Sequence, residues 1–178
     1  LDAGISFEGF SKKIEELNND GNITGIIINK PFPFSHPSRV FSLINKDKDV
    51  EGLNADNLGK LFEDSFILAN KLDDDQEYVF LPPTVRSVLD VLHECGQLAL
   101  IKGKRVTLVG FSSIIGKPLA LMFADALATV SITHIGTSQA GDLKKYIEEA
   151  DIVISATGVA GLIKGEWIKQ GAVVIDVG

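Results

Sequence analysis

Short apolar strands alternate with helical patterns through the second half of the chain, and this alternation limits the possible folds more than any other feature. Residues 106–109, 129–134, 151–155 and 172–177 are apolar runs rich in β-branched residues, and residues 117–128, 142–150 and 164–170 between them read as helices. Strands separated each time by a helix, with short loops, predict a parallel sheet covered on both faces. The first half is less regular. Residues 23–29 (ITGIIIN) predict a buried strand, closed by Pro31, Pro33 and Pro37, which lack the N–H that a central ladder needs. Helical spacing is predicted over 10–17, 38–44, 57–70 and 84–98, with Thr84 as the N-cap of the last. The expected fold class is α/β. A small N-terminal α/β domain precedes a doubly wound parallel-sheet domain, with a cleft between them and the boundary within residues 81–104.

Composition narrows the functional classes. The net charge of −7 argues against nucleic acid, which needs clustered Lys and Arg. No apolar run approaches the roughly 20 residues that span a bilayer, so no membrane segment is expected. The N-terminus carries no signal-peptide pattern. Cys95 stands alone, which excludes an internal disulfide and fits a reducing compartment such as the cytoplasm. The chain opens at Leu1 without a Met and stops at Gly178 directly after an apolar strand, so a fragment of a longer protein is expected. The acidic stretch 73–77 (DDDQE) reads as a surface loop; no ligand spacing accompanies it, and no metal is expected.

Residues 109–118 (VGFSSIIGKP) form a Gly-rich turn between a strand and a helix. A helix N-terminus offers free N–H groups and partial positive charge to an anion. Gly110 suits a tight turn or a close phosphate, and Gly116 lets the helix start pack near the strand. The spacing is not GxGxxG, so a plain strand–helix turn is the other reading. Thr157-Gly158 and Gly178 supply two further small-residue turns at strand carboxyl ends, where open α/β sheets bind ligands. Lys117 reads equally as a solvated cation or a phosphate contact. His134 has no nucleophile in its motif and reads as positional or adenine-facing.

In order and spacing these segments resemble the bifunctional methylenetetrahydrofolate dehydrogenase/methenyltetrahydrofolate cyclohydrolase family. The family turn VGRSxxVGKP is similar to 109–118, and the match continues through the turn 134–137, the segment ADIVISATG and the terminal GEWIKQGAVVIDVG. In the first half, GIIINKPFP resembles the family's GILVQLPLP, KDVEGL its KDVDGF, and FLPPT its PCTP segment. The resemblance implies a folate-facing catalytic domain over residues 1–90, its N-terminal part missing, and a Rossmann-like nucleotide-binding domain over 91–178, its C-terminal part missing. It implies NADP or NAD as cofactor, held by Gly110, Phe111, Ser112, Gly116, Lys117, Ile135, Thr137, Thr157 and Gly158. A tetrahydrofolate derivative would meet Asn29, Pro31, Pro33, Glu51, Gly52 and Pro82, with Asn29 at the family's catalytic Gln position and Glu51 at its pterin-pairing Asp. A cytoplasmic homodimer is implied as well.

Departures from the family pattern sharpen these expectations. The family's Arg after the first Gly is Phe111 here, and Gly136 replaces a basic residue common in the following turn. Arg binds phosphate bidentately, so a site for the 2′-phosphate of NADP has lost two donors, while no Asp or Glu follows strand 129–134 to take an NAD ribose. The choice of cofactor stays open on this ground. The family's catalytic Tyr and Lys, in a YVxxK helix, and its PGGVGPxT loop do not occur among the 178 residues. A non-catalytic folate- or nucleotide-binding relative, and a dehydrogenase of another substrate on the same fold, are the alternative readings.

Overall fold

A computed structural model describes residues 4–29, 31–34, 39–70 and 80–178, the side chains of 64–70 excepted. Pro37, Ser38 and the acidic stretch 73–77 lie outside the described residues. The chain divides by its contacts into two compact units, one built from residues up to Glu63 with residues 80–82, the other from residues 64–70 and Pro83–Gly178.

The second unit holds the sheet. Strands β1 (Arg105–Val109), β2 (Thr129–Thr133), β3 (Ile152–Ser155) and β4 (Val173–Asp176) pair in the order β2-β1-β3-β4, every pair parallel. The expected parallel sheet is therefore present. Its chain order reverses at β1, which makes the gap between β1 and β3 the topological switch point. Central β1 is buried on both faces from Val106 to Val109, which explains why it reads as a continuous apolar run. On one face Val109 and Val153 pack with Leu143, Ile147 and Ala150, and Thr107 Oγ1 donates to the Tyr146 carbonyl at 2.9 Å. Helix α4 (Gly116–Asp125) packs on β1 and β2, with Leu119, Met122 and Phe123 fully buried.

Helix α3 spans Pro83–Glu94 and buries Val85, Val88, Leu89 and Leu92 at helical spacing. It starts one residue earlier than predicted, because Pro83 has the fixed φ that suits a first turn; Thr84 lies inside the helix and is not its N-cap. It also ends earlier than residue 98. The amides of Gln97 and Leu98 both donate to the Leu92 carbonyl, which closes the last turn.

The first unit departs further from expectation. Helix α1 (Phe7–Asn19) is capped by Ser6, whose hydroxyl accepts from the Gly9 amide at 3.1 Å. Its buried Phe10 and Ile14 face Ile26, Ile28, Val40 and Ile44. Helix α2 spans Ala55–Asn70, close to the prediction. Residues 23–29, predicted as a strand, form a single parallel bridge, Ile26 to Asp49, and no ladder. Ile26 and Ile28 are buried by packing against α1, and burial alone produced the strand-like pattern. In place of the helix predicted over 38–44, a 3₁₀ turn occupies Phe41–Leu43.

The loop after that turn is held by side chains. Lys48 Nζ donates to the carbonyls of Leu17, Asn18 and Asp20 at 2.7–2.9 Å, closing the C-terminal end of α1. Asp49 is fully buried; its Oδ2 accepts from the Asn54 amide at 2.7 Å and from Asn57 Nδ2 at 2.9 Å.

Candidate functional site

The strand ends build the site. Gly110 leaves β1 at φ 117°, a conformation that side-chain-bearing residues rarely adopt, and its amide donates to the Thr133 carbonyl at 2.9 Å. A Cβ on Gly110 would lie 2.5 Å from the Ala156 carbonyl oxygen, just past the end of β3. A Cβ on Gly116, at the start of α4 (Gly116–Asp125), would run into the Gly110 carbonyl and the Phe111 Cα. Three stretches of main chain thus meet without side chains at the switch point between β1 and β3. The turn between the two glycines is closed internally: Ser112 Oγ accepts from the Ile115 amide at 3.1 Å, and the Ser112 carbonyl from the Lys117 amide at 3.0 Å. Phe111 and Lys117 are exposed, with Lys117 Nζ 5.2 Å from the Phe111 ring centroid.

After β2 the chain enters a short helix, α5 (Ile135–Gln139), which periodicity did not predict. His134 caps it. Its Nδ1 accepts from the Gly136 amide at 3.1 Å, and Thr137 Oγ1 accepts from the His134 amide at 3.3 Å. Of the two roles expected for His134, this is the positional one. After β3, Thr157 Oγ1 accepts from the Val159 amide at 3.3 Å, and the Gly158 amide donates to the Gly178 carbonyl at 3.0 Å. These turns border a cavity of about 480 Å³. Thr157 and Gly158 line it together with residues 159–163, Ile168 and Asp176. Residues 159–163 had no signal in the sequence beyond their place after a strand end.

The expected nucleotide-side residues, from Gly110 to Gly158, therefore gather at the carboxyl ends of three adjacent parallel strands, β2, β1 and β3. The expected folate-side residues all lie in the first unit. Asn29, Pro31 and Pro33 line a largely apolar cavity of about 550 Å³ with Phe10, Ile14 and Ile28. Glu51 and Gly52 follow Asp49 in a tight turn, in which the Gly52 amide donates to the Asp49 carbonyl at 3.3 Å. Gly52 has φ 65° and lies against the Phe80 carbonyl, beside Leu81 and Pro82, where a Cβ would not fit. Among the described residues, two enclosed carboxylate oxygens have no hydrogen-bond partner, Asp49 Oδ1 and Glu51 Oε2. The sequence reading missed Lys48 and Asp49, although both stand in the segment that points to Glu51.

A family model for the NAD(P)-binding domain of tetrahydrofolate dehydrogenase/cyclohydrolase matches residues 82–178, more than half of the chain. The chain belongs to this family. The matched segment contains the described parallel sheet and the glycine turns. Bifunctional protein FolD of Methanosarcina barkeri is 39% identical over 179 residues, an alignment that covers 100% of this chain and 56% of that protein. The solved FolD methylenetetrahydrofolate dehydrogenase/cyclohydrolase of Campylobacter jejuni superposes with a TM-score of 0.83 at 33% identity, over 100% of this chain and 58% of its own. The Trypanosoma brucei enzyme, complexed with NADP cofactor and inhibitor, gives a TM-score of 0.84 at 32% identity, over 100% and 56%. The chain thus spans a little over half the length of the family members it matches.

The glycine turns fit a dinucleotide. At the switch point, where open α/β sheets bind ligands, Gly110 and Gly116 let the main chain close tightly around the start of α4, whose first amides face an approaching pyrophosphate's position in such folds. Among the described residues no cluster of His, Cys, Asp and Glu has the makings of a metal site, and no helix is long and apolar enough to cross a membrane.

Proposed function

We propose that the protein oxidises 5,10-methylenetetrahydrofolate to the 5,10-methenyl form with NAD(P), and hydrolyses that product to 10-formyltetrahydrofolate, in one-carbon metabolism. The observation that carries this reading is the glycine-built turn at the β1/β3 switch point, opening α4 within the segment that the family's NAD(P)-binding domain matches. Bound NAD(P) supplies a hydride acceptor. The residues of this chain align and shield: Gly110 and Gly116 admit the phosphates, Ser112 and Lys117 flank them, and Thr157 and Gly158 border the adjoining cavity. The substrate's own ring nitrogens stabilise the methenyl cation, so the first step asks the protein chiefly for alignment. The second needs activated water and proton transfer, for which the Asn29 amide is this chain's candidate in the folate pocket.

Glu51 is the proposed reader of the pterin edge. Among the described residues its Oε2 has no hydrogen-bond partner, which leaves an acceptor for a donor-bearing ring edge once the turn admits it. On this reading residues 1–90 form the folate domain and 91–178 the nucleotide domain of a cytoplasmic homodimer, as the resemblance implies. A non-catalytic folate-binding relative is the second reading, favoured by Phe111, Glu51 and Asn29, which all depart from the family's motifs.

Titrating a tetrahydrofolate analogue into full-length wild type and Glu51→Gln tests the assignment. Losing the charged acceptor should weaken binding by about tenfold, equivalent to about 1.4 kcal/mol, with thermal stability nearly unchanged. Equal affinities would remove Glu51, and most of the pterin case with it. Tight folate binding without turnover would favour the second reading.

A further inference from the structure

The carboxyl ends of β1 and β2 hold a feature that the glycine turns do not explain. In dinucleotide folds of this topology, the second position of the adenosine ribose is read there. An acidic side chain takes the free hydroxyl of NAD, and an Arg takes the phosphate of NADP. Neither type stands at these strand ends in this chain. The register pairs Val109 with Thr133, so Phe111 and Ile135 each stand two residues beyond a matched pair, Phe111 in the turn after β1 and Ile135 at the start of α5. Both are large, apolar and exposed, Phe111 at 46% and Ile135 at 74%.

Two amides nearby are already engaged. The Gly136 amide donates to His134 Nδ1 and the His134 amide to Thr137 Oγ1, so the start of α5 keeps neither for a phosphate. Lys117 rests its ammonium over the Phe111 ring. A dianionic phosphate would meet the Lys117 ammonium, with no planar fork to hold it bidentately. A flat purine would meet an aromatic face and an aliphatic side chain, both available for stacking and apolar contact.

We propose that Phe111 and Ile135 form an apolar adenosine seat and set coenzyme choice, so that the protein takes NAD, with its free 2′-hydroxyl, at least as readily as NADP. This rests on the nucleotide-site reading above and deepens it. The proteins to compare are full-length wild type, Phe111→Arg and Ile135→Arg. Dissociation constants for NAD and NADP are measured by calorimetric titration at one ionic strength, with melting curves to show that each variant is folded. In wild type the NADP-to-NAD affinity ratio should be at or below one. Each Arg variant should raise that ratio at least tenfold, and the gain should shrink as salt is added. A wild-type ratio above ten in favour of NADP would overturn the inference and leave the nucleotide site standing, as would a ratio that neither variant moves. Folded wild type that binds neither dinucleotide would instead sink the nucleotide-site reading, and this inference with it.

Discussion

The second unit fixes its turns through main-chain ladders and glycine contacts, whereas the first fixes its loops through a few long-reaching side chains. Around β1 the main chain of three turns meets directly, and the shape of the turns follows from backbone alone. In the first unit a single bridge joins Ile26 to Asp49, and the loop that carries Glu51 is held by Lys48 reaching α1 and by Asp49 reaching Asn54 and Asn57. A site built the first way is sensitive at positions with no side chain to lose. A site built the second way is sensitive at buried polar side chains that touch no ligand.

Three substitutions break or sharpen that contrast. Gly110→Ala should have the largest effect. Strain from the left-handed φ, of about 1–3 kcal/mol, adds to a Cβ forced onto the Ala156 carbonyl. A loss of about 3 kcal/mol in urea-monitored unfolding is expected, and a loss below about 1 kcal/mol would show that the turns can separate. Asp49→Ala comes next, because it strands the Asn54 amide and the Asn57 side-chain amide in a buried setting. The cost should be about 2–3 kcal/mol in the same measurement, with folate affinity falling in parallel as Glu51 loses its support. An unchanged melting temperature would mean that the first unit does not depend on this side chain.

Asp151 gives the smallest effect and a pH signature. The Arg105 amide, and then the Lys169 ammonium at 2.6 Å, hold its carboxyl below the usual range. A lowered folded-state value stabilises the fold above the unfolded value near about 3.9, and the contribution disappears as pH falls through the folded value. Asp151→Asn should therefore cost about 0.5–1 kcal/mol at neutral pH, and wild type and variant should converge in strong acid. A gap of the same size in both conditions would assign the effect to packing.

The sheet is legible in the sequence because burial on both faces makes the central strands β1 and β3 largely apolar runs, as at Val106–Val109 and Ile152–Ile154. The same signal misleads at Ile26 and Ile28. Apolar residues there report contact with Phe10 and Ile14, and burial does not distinguish a ladder from an extended loop. Helix α5 has five residues and a His cap, too short for periodicity and outside the usual capping residues. On the candidate site, the glycine turns stand out because Gly110 and Gly116 occupy positions where no other side chain fits. Lys48 and Asp49 do not stand out. Their partners, from Leu17 to Asn57, come together only in the folded chain.

The side-chain-free contact among Gly110, Gly116 and Ala156 also bears on how fast a ligand leaves. Nothing at that junction has rotamers to freeze, so a phosphate arriving there orders little that was free before. The turn is built before the encounter. Variants that retain it should share nearly one association rate, and differences in their affinity should be read in the residence time of the bound dinucleotide.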